Sequence, residues 1–167
     1  GALGVTGDRV LTDAFADIGR AMPLIPAPLV HRDRDNLSEA ERGLRYADLL
    51  EDRILEEGPE TVLAFIREPV GGAATAGLVA PDSYYRRIRE ICDRYGILLI
   101  HDEVMSGAGR TGKFLAGEHW GCRPDIVILS KGLSSGSQPL GAIMAQERIV
   151  APILEMGGFL HGHTYAG

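Results

Sequence analysis

Apolar and polar positions follow two rhythms along this chain. Leu44, Ala47, Leu50, Ile54 and Leu55 recur at helical spacing, so one stripe of a helix faces a core. Ser38 and Glu41 form a capping box at its start, and Gly58-Pro59 ends it after Glu57. A second helix is predicted from Pro81-Asp82 to Tyr95, with Asp82 as its cap and Gly96 as its stop. A third spans Glu147 to Glu155. The other rhythm is a set of short apolar runs, 61–66, 97–101, 126–130 and 140–145, each of strand length. The runs ending at His101 and Ser130 are apolar at nearly every position, as in strands covered on both faces. Strand, helix and strand alternate. The predicted fold is therefore α/β, a mostly parallel sheet flanked by helices.

The connections are equally marked. Residues 9–37 are rich in Pro, Asp and Arg, and read as a surface connection with one short helix near Asp13 to Ile18. Gly71 to Gly77 is glycine-rich, so its backbone can approach a neighbour closely. Residues 107–124 read as a loop with a helical piece from Ala116 to Trp120, where Trp120 is expected to pack rather than react.

Composition narrows the classes. The chain has 167 residues, 45% hydrophobic and 24% charged, which fits one globular domain. A net charge of -6 leaves no basic footprint for nucleic acid. No apolar run is long enough for a membrane-spanning helix, so no membrane partner is expected. Cys92 and Cys122 lack metal-ligand spacing and read as free thiols in a reducing compartment, which points to the cytoplasm. His161 and His163 have no carboxylate or Cys to complete a set, so no metal site is expected.

Two strand ends carry candidate chemistry. Lys131 follows the run Ile126-Val127-Ile128-Leu129-Ser130, and the small residues Ser134 to Ser137 follow it. An ammonium ion at a buried strand end is costly unless paired or neutral, and a neutral lysine is an amine nucleophile for a carbonyl or for pyridoxal phosphate. Asp102 and Glu103 follow Ile97 to His101. Ligands of open α/β sheets bind beyond the C-terminal strand ends, which places Asp102 and Lys131 on one rim. Pyridoxal phosphate needs such a pair, an amine for its aldehyde and a carboxylate for its ring nitrogen. A lysine turned to water and acids capping a strand fit the same positions.

The stretch Leu99-Ile100-His101-Asp102-Glu103-Val104-Met105-Ser106-Gly107-Ala108-Gly109-Arg110-Thr111-Gly112 resembles the hallmark of the class III, or ω-, aminotransferases of pyridoxal-phosphate fold type I. So do Asp125 to Gly132, the start Gly1 to Asp8, and the end His161 to Gly167. The resemblance implies an enzyme that moves an amino group from an amine or ω-amino acid to a keto acid such as pyruvate. It implies pyridoxal 5'-phosphate as cofactor and a homodimer as assembly. Residue by residue, it implies that Lys131 holds the cofactor aldehyde and that Asp102 pairs with the pyridine nitrogen. Val104 would pack on the ring. Thr164 would bind the phosphate of the neighbouring subunit. Glu68 matches a family glutamate near the site, and Arg110 would serve as an ion-pair partner in its turn. A decarboxylase, racemase or aminomutase on the same fold, or a non-catalytic fragment, remains the alternative.

The departures refine the picture. Many members carry Gln at the position of Met105, and Met cannot donate its hydrogen bond. Glu68-Pro69-Val70-Gly71-Gly72-Ala73-Ala74 lacks the second glutamate of members acting on ornithine and γ-aminobutyrate. Gly109-Arg110-Thr111-Gly112 is usually missing from the glutamate semialdehyde aminomutases. The closer resemblance is to pyruvate-using amine or ω-amino acid transaminases. Family members are much longer, so residues 1–167 are expected to be an internal part of the large cofactor-binding domain.

Overall fold

The computed structural model describes residues 2–160 and 162. Four strands, β1 (Ala64–Arg67), β2 (Leu98–Asp102), β3 (Ile126–Leu129) and β4 (Ala142–Ala145), form one sheet in the order β1-β2-β3-β4. The β1–β2 and β2–β3 pairs are parallel and β4 returns antiparallel to β3. The mostly parallel α/β sheet of the sequence reading is present. The helices are α1 (Arg9–Thr12), α2 (Glu39–Glu57), α3 (Asp82–Tyr95) and α4 (Glu147–Glu155).

Helix α2 starts where its capping box places it. Ser38 Oγ accepts the Glu41 amide, and the Glu41 carboxylate takes the Ser38 amide at 2.8 Å. Its core face is Gly43, Ala47, Leu50 and Ile54, while Leu44 and Leu55 are exposed. These residues meet Tyr84, Tyr85, Ile88, Ile91 and Cys92 of α3 and Leu99 of β2 in one core. Arg87 of α3 also pairs with Asp48 and Glu51 across the two helices.

Several local expectations shift. The short helix lies at Arg9–Thr12, followed by a 3-10 turn at Asp13–Phe15, earlier than Asp13 to Ile18. Strand β1 begins at Ala64 because a 3-10 turn, Pro59–Thr61, takes the first residue of the expected run. Asp82 is not the cap of α3. Pro81 holds that position without a side-chain bond, and Asp82 is an acid in the first turn. The strands are also not covered on both faces among the described residues. In β2 and β3, Leu99, His101, Val127 and Leu129 are buried, but their neighbours are half-buried. The core that α2 and α3 build with the sheet takes in Leu99, so successive side chains on β2 meet different surroundings.

Gly43 of α2 sits tightly against the start of α3. A Cβ there would strike Ser83 Oγ and come within 2.9 Å of Pro81 Cβ, and Ser83 Oγ is already fixed on the Ala40 carbonyl at 2.8 Å. Gly43→Ala is expected to destabilise the protein by about 1–3 kcal/mol despite its better helix propensity. Urea unfolding checks this, and an unchanged or raised midpoint would contradict the tight contact.

Asp125, just before β3, ties four segments together. Its carboxylate accepts the Leu99 amide at 2.8 Å and Arg89 at 2.9 Å, and also pairs with Arg148 of α4. Burial alone would raise its carboxyl. The Leu99 amide and the two guanidinium groups outweigh that and hold it below the usual range. A depressed folded value means the stabilisation is present above the unfolded value near pH 4 and is lost as pH falls through the folded one. Asp125→Asn is expected to cost about 2–3 kcal/mol at pH 7. That is less than a fully buried pair, because the Arg148 side chain is 60% exposed. The gap between variant and wild type should shrink below pH 4 in urea unfolding. A gap independent of pH would refute the charge-based account.

Candidate active site

Three parallel strands end side by side, and each delivers a polar residue at its C-terminal end. Glu68 follows β1, Asp102 closes β2, and Lys131 lies two residues beyond β3. The register fixes their order: Arg67 faces His101, and Asp102 faces Ile128. Beyond this rim opens a cleft of about 960 Å³. Its walls are Val70 to Ala73, Ala76-Gly77, Val104 to Thr111, and Lys131-Gly132 with Ser135-Gly136. The glycine-rich 71–77 loop thus supplies part of one wall, through Gly71 to Ala73 and Ala76-Gly77.

Lys131 departs from the sequence expectation of a lysine ending a buried strand. The strand stops at Leu129, and Lys131 opens a 3-10 turn, Lys131–Ser134, with φ of 44°. It is exposed on the cleft, and its Nζ meets Met105 Sδ at 3.0 Å. A thioether is a weak acceptor. Among the described residues no carboxylate pairs with Lys131. The amine is therefore within reach of a ligand in the cleft.

Asp102 is half-buried, and its Oδ1 accepts the Val104 amide at 3.0 Å. That bond leaves Oδ2 without a protein donor among the described residues. Val104 lines the cleft, whereas Asp102 and Glu68 stand beside it. Glu68 Oε2 accepts the Gly72 amide at 3.0 Å. A Cβ on Gly72 would come within 2.5 Å of Glu68 Oε1 and 3.1 Å of Met105 Cγ, so a side chain there would push the Glu68 carboxylate aside. Thr164 lies outside the described residues. Arg110 lines the cleft but forms no ion pair among the described residues, contrary to its expected role; it is exposed, and its amide closes a turn on the Gly107 carbonyl.

Two features escaped the sequence. Among the described residues, the non-glycine positions with positive φ are Ala76, Ala108, Lys131 and Ser135, and all four line the cleft. Such strain gathers where a fold holds a site open. A strand pattern carries no signal for it. The second feature is Glu103, which is buried beneath the cleft wall rather than solvated.

Behind the sheet, Cys122 Sγ lies 4.0 Å from His101 Nε2, a spacing that invites comparison with a Cys–His nucleophile. Burial pushes the Cys122 thiol up, while burial with Arg67 and Arg89 pushes His101 down to about 3. Both groups are thus neutral at physiological pH and enclosed by the core, unlike an activated pair. Trp120 stacks on Tyr85 at 3.8 Å, the packing role expected of it.

The family model for aminotransferase class-III matches residues 1–167. The chain belongs to the class III aminotransferases. A putrescine–pyruvate aminotransferase of Pseudomonas aeruginosa is 42% identical over 143 residues, 86% of this chain and 31% of that protein. An uncharacterized aminotransferase of Bacillus subtilis, YodT, is 37% identical over 99% of this chain and 37% of its own. Among solved class III-like folds, a thermostable (S)-enantioselective omega-transaminase from Thermomicrobium roseum superposes with a TM-score of 0.86. It is 38% identical, and the match covers 98% of this chain and 37% of that one. The omega transaminase of Pseudomonas jessenii in complex with PMP gives a TM-score of 0.85 at 36% identity, with 98% and 37% covered. The chain thus spans about a third of the length of these class III relatives. No helix among the described residues is long and apolar enough to cross a membrane.

Proposed function

We propose that this chain is part of the cofactor-binding large domain of a pyridoxal-phosphate-dependent aminotransferase. The enzyme moves an amino group from an amine or ω-amino acid to a keto acid such as pyruvate. The observation that carries this reading is the unpaired amine of Lys131 on the cleft, one strand away from the half-free carboxylate of Asp102. Likeness to a putrescine–pyruvate aminotransferase and to an omega transaminase bound to PMP supports the substrate class and the cofactor.

The residues fit the group. A primary amine suits its aldehyde, and the Asp102 carboxylate suits its ring nitrogen. The small side chains of the 71–77 and 107–109 walls leave room for a flat ring. When bound, the cofactor supplies an electron sink for a carbanion. Lys131 Nζ would hold the aldehyde of the cofactor. The same amine would also serve as the base that takes the proton from the amine-bearing carbon of the substrate. Asp102 keeps the proton on the ring nitrogen through a charge-assisted bond. Val104 packs on one ring face, and Glu68 holds the 71–72 wall through the Gly72 amide. The family resemblance gives Thr164 the phosphate of a partner subunit, in keeping with a homodimer. The unpaired thiols Cys92 and Cys122 suit a cytoplasmic enzyme.

The test is an assay of the full-length protein with pyridoxal phosphate, a panel of diamines and ω-amino acids, and pyruvate. Alanine formation with ping-pong kinetics is expected. Release of carbon dioxide or inversion of the donor without amine transfer would overturn the assignment.

A further inference from the structure

We infer that Glu103 is a positioning residue that sets the Asp102 carboxylate and the cleft wall, an inference that rests on the role proposed for Asp102. Glu103 is 1% exposed, yet no cation pairs with it among the described residues. Its carboxylate is instead held by neutral donors. Oε2 accepts Ser106 Oγ at 2.6 Å and the Ala116 amide at 3.0 Å, and Oε1 accepts the Gly117 amide at 2.9 Å. The backbone of the same residue is tied as well. Its amide donates to the Ile128 carbonyl at 2.9 Å, and its carbonyl accepts the Gly107 amide at 2.8 Å.

These bonds have a common geometric effect. The segment from Val104 to Leu115 leaves the sheet, lines the cleft through Thr111 and comes back. Glu103 fastens both ends of that excursion, at Ser106 and Gly107 near the start and at Ala116 and Gly117 at the return. There is no slack at the near end: a Cβ on Gly107 would lie 2.6 Å from Leu129 Cδ2 and 2.8 Å from the Glu103 carbonyl. The amide of Val104, the first residue of the excursion, is the donor that orients Asp102 Oδ1. Glu103 therefore fixes the donor that fixes Asp102. A carboxylate suits this task because both oxygens accept. Two amides approach from one side and take one oxygen each, so a carboxamide would leave one of them facing an NH2 group.

The full-length enzyme tests this with Glu103→Gln, Ser106→Ala and Asp102→Asn, each checked for native far-UV circular dichroism. In the cofactor-free protein, Glu103→Gln is expected to raise hydrogen exchange at the Ala116 and Gly117 amides by roughly tenfold or more. With cofactor, Glu103→Gln is expected to lower kcat by about 10- to 100-fold, the scale of a misplaced group, with the donor KM little changed. Added to Asp102→Asn, it should cost less than about threefold further, because the group it positions is already disabled. If Glu103→Gln does not fold, Ser106→Ala removes a single donor and runs through the same cycle with a smaller but equally non-multiplicative loss. Losses that multiply, or unchanged exchange at Ala116 and Gly117, overturn the positioning role and leave that of Asp102 standing. An Asp102→Asn enzyme with wild-type turnover overturns both.

Discussion

Lys131→Ala in the full-length enzyme is expected to lower kcat by roughly 10⁴-fold or more, because the proposed role gives one side chain both the hold on the cofactor and the movement of the proton. The structure gives the reason no neighbour takes over. Lys131 is the lysine on the cleft, and the other lysine of the sequence, Lys113, is absent from the cleft's lining residues. The Met105 thioether beside Lys131 Nζ can neither form the covalent link nor accept a proton. The visible absorbance that pyridoxal phosphate gains on binding a lysine should vanish with the variant. Borohydride reduction of the wild-type enzyme followed by peptide mapping should place the label on Lys131. A label on Lys113, or a variant that keeps its turnover, would overturn the assignment.

The lysine also shows where sequence and structure part. Its place on the cleft was readable, because a lysine beyond an apolar run falls at the C-terminal rim of the sheet. Its environment was not. A run such as Ile126 to Ser130 fixes strand length and direction, but says nothing of where the backbone turns left-handed. That depends on the 131–140 loop, held by Ser130 Oγ on the Leu140 carbonyl and Ser134 Oγ on the Gln138 carbonyl. Such bonds join residues whose spacing follows no period. Helices α2 and α3 were legible almost to the residue, since capping boxes and glycine stops act locally. Coverage of the sheet was not, because an apolar run looks the same whether one face or both are packed.

The acids follow the same division. Asp102 and Glu103 are neighbours in sequence, and successive side chains on a strand point to opposite faces. The pleat separates their roles. Asp102 keeps one oxygen open, whereas Glu103 has its oxygens taken by three donors. The sequence resemblance gives the ring nitrogen to Asp102 and no role to Glu103. The hydrogen bonds leave one oxygen of Asp102 open and occupy both of Glu103, which supports the role proposed for Asp102.

Asp102→Asn is accordingly expected to leave the fold intact and to cut kcat by roughly 10³-fold, the scale of losing a preorganised electrostatic group. The substitution is nearly isosteric. Asn can still accept the Val104 amide through its Oδ1, so the strand end and the wall that begins at Val104 should keep their shape. What is lost is the negative charge at the second oxygen. A carboxylate keeps a proton on a pyridine nitrogen, whereas a carboxamide presents either a neutral oxygen or an NH2 donor to it. Without that proton the ring is a poorer electron sink, and removal of the substrate proton by Lys131 slows. Donor KM should change little, since the role proposed for Asp102 is at the ring rather than at the amine. The check is steady-state kinetics beside circular dichroism and urea unfolding of the same preparation. A folded variant with near-wild-type kcat would show that some other group holds the ring nitrogen.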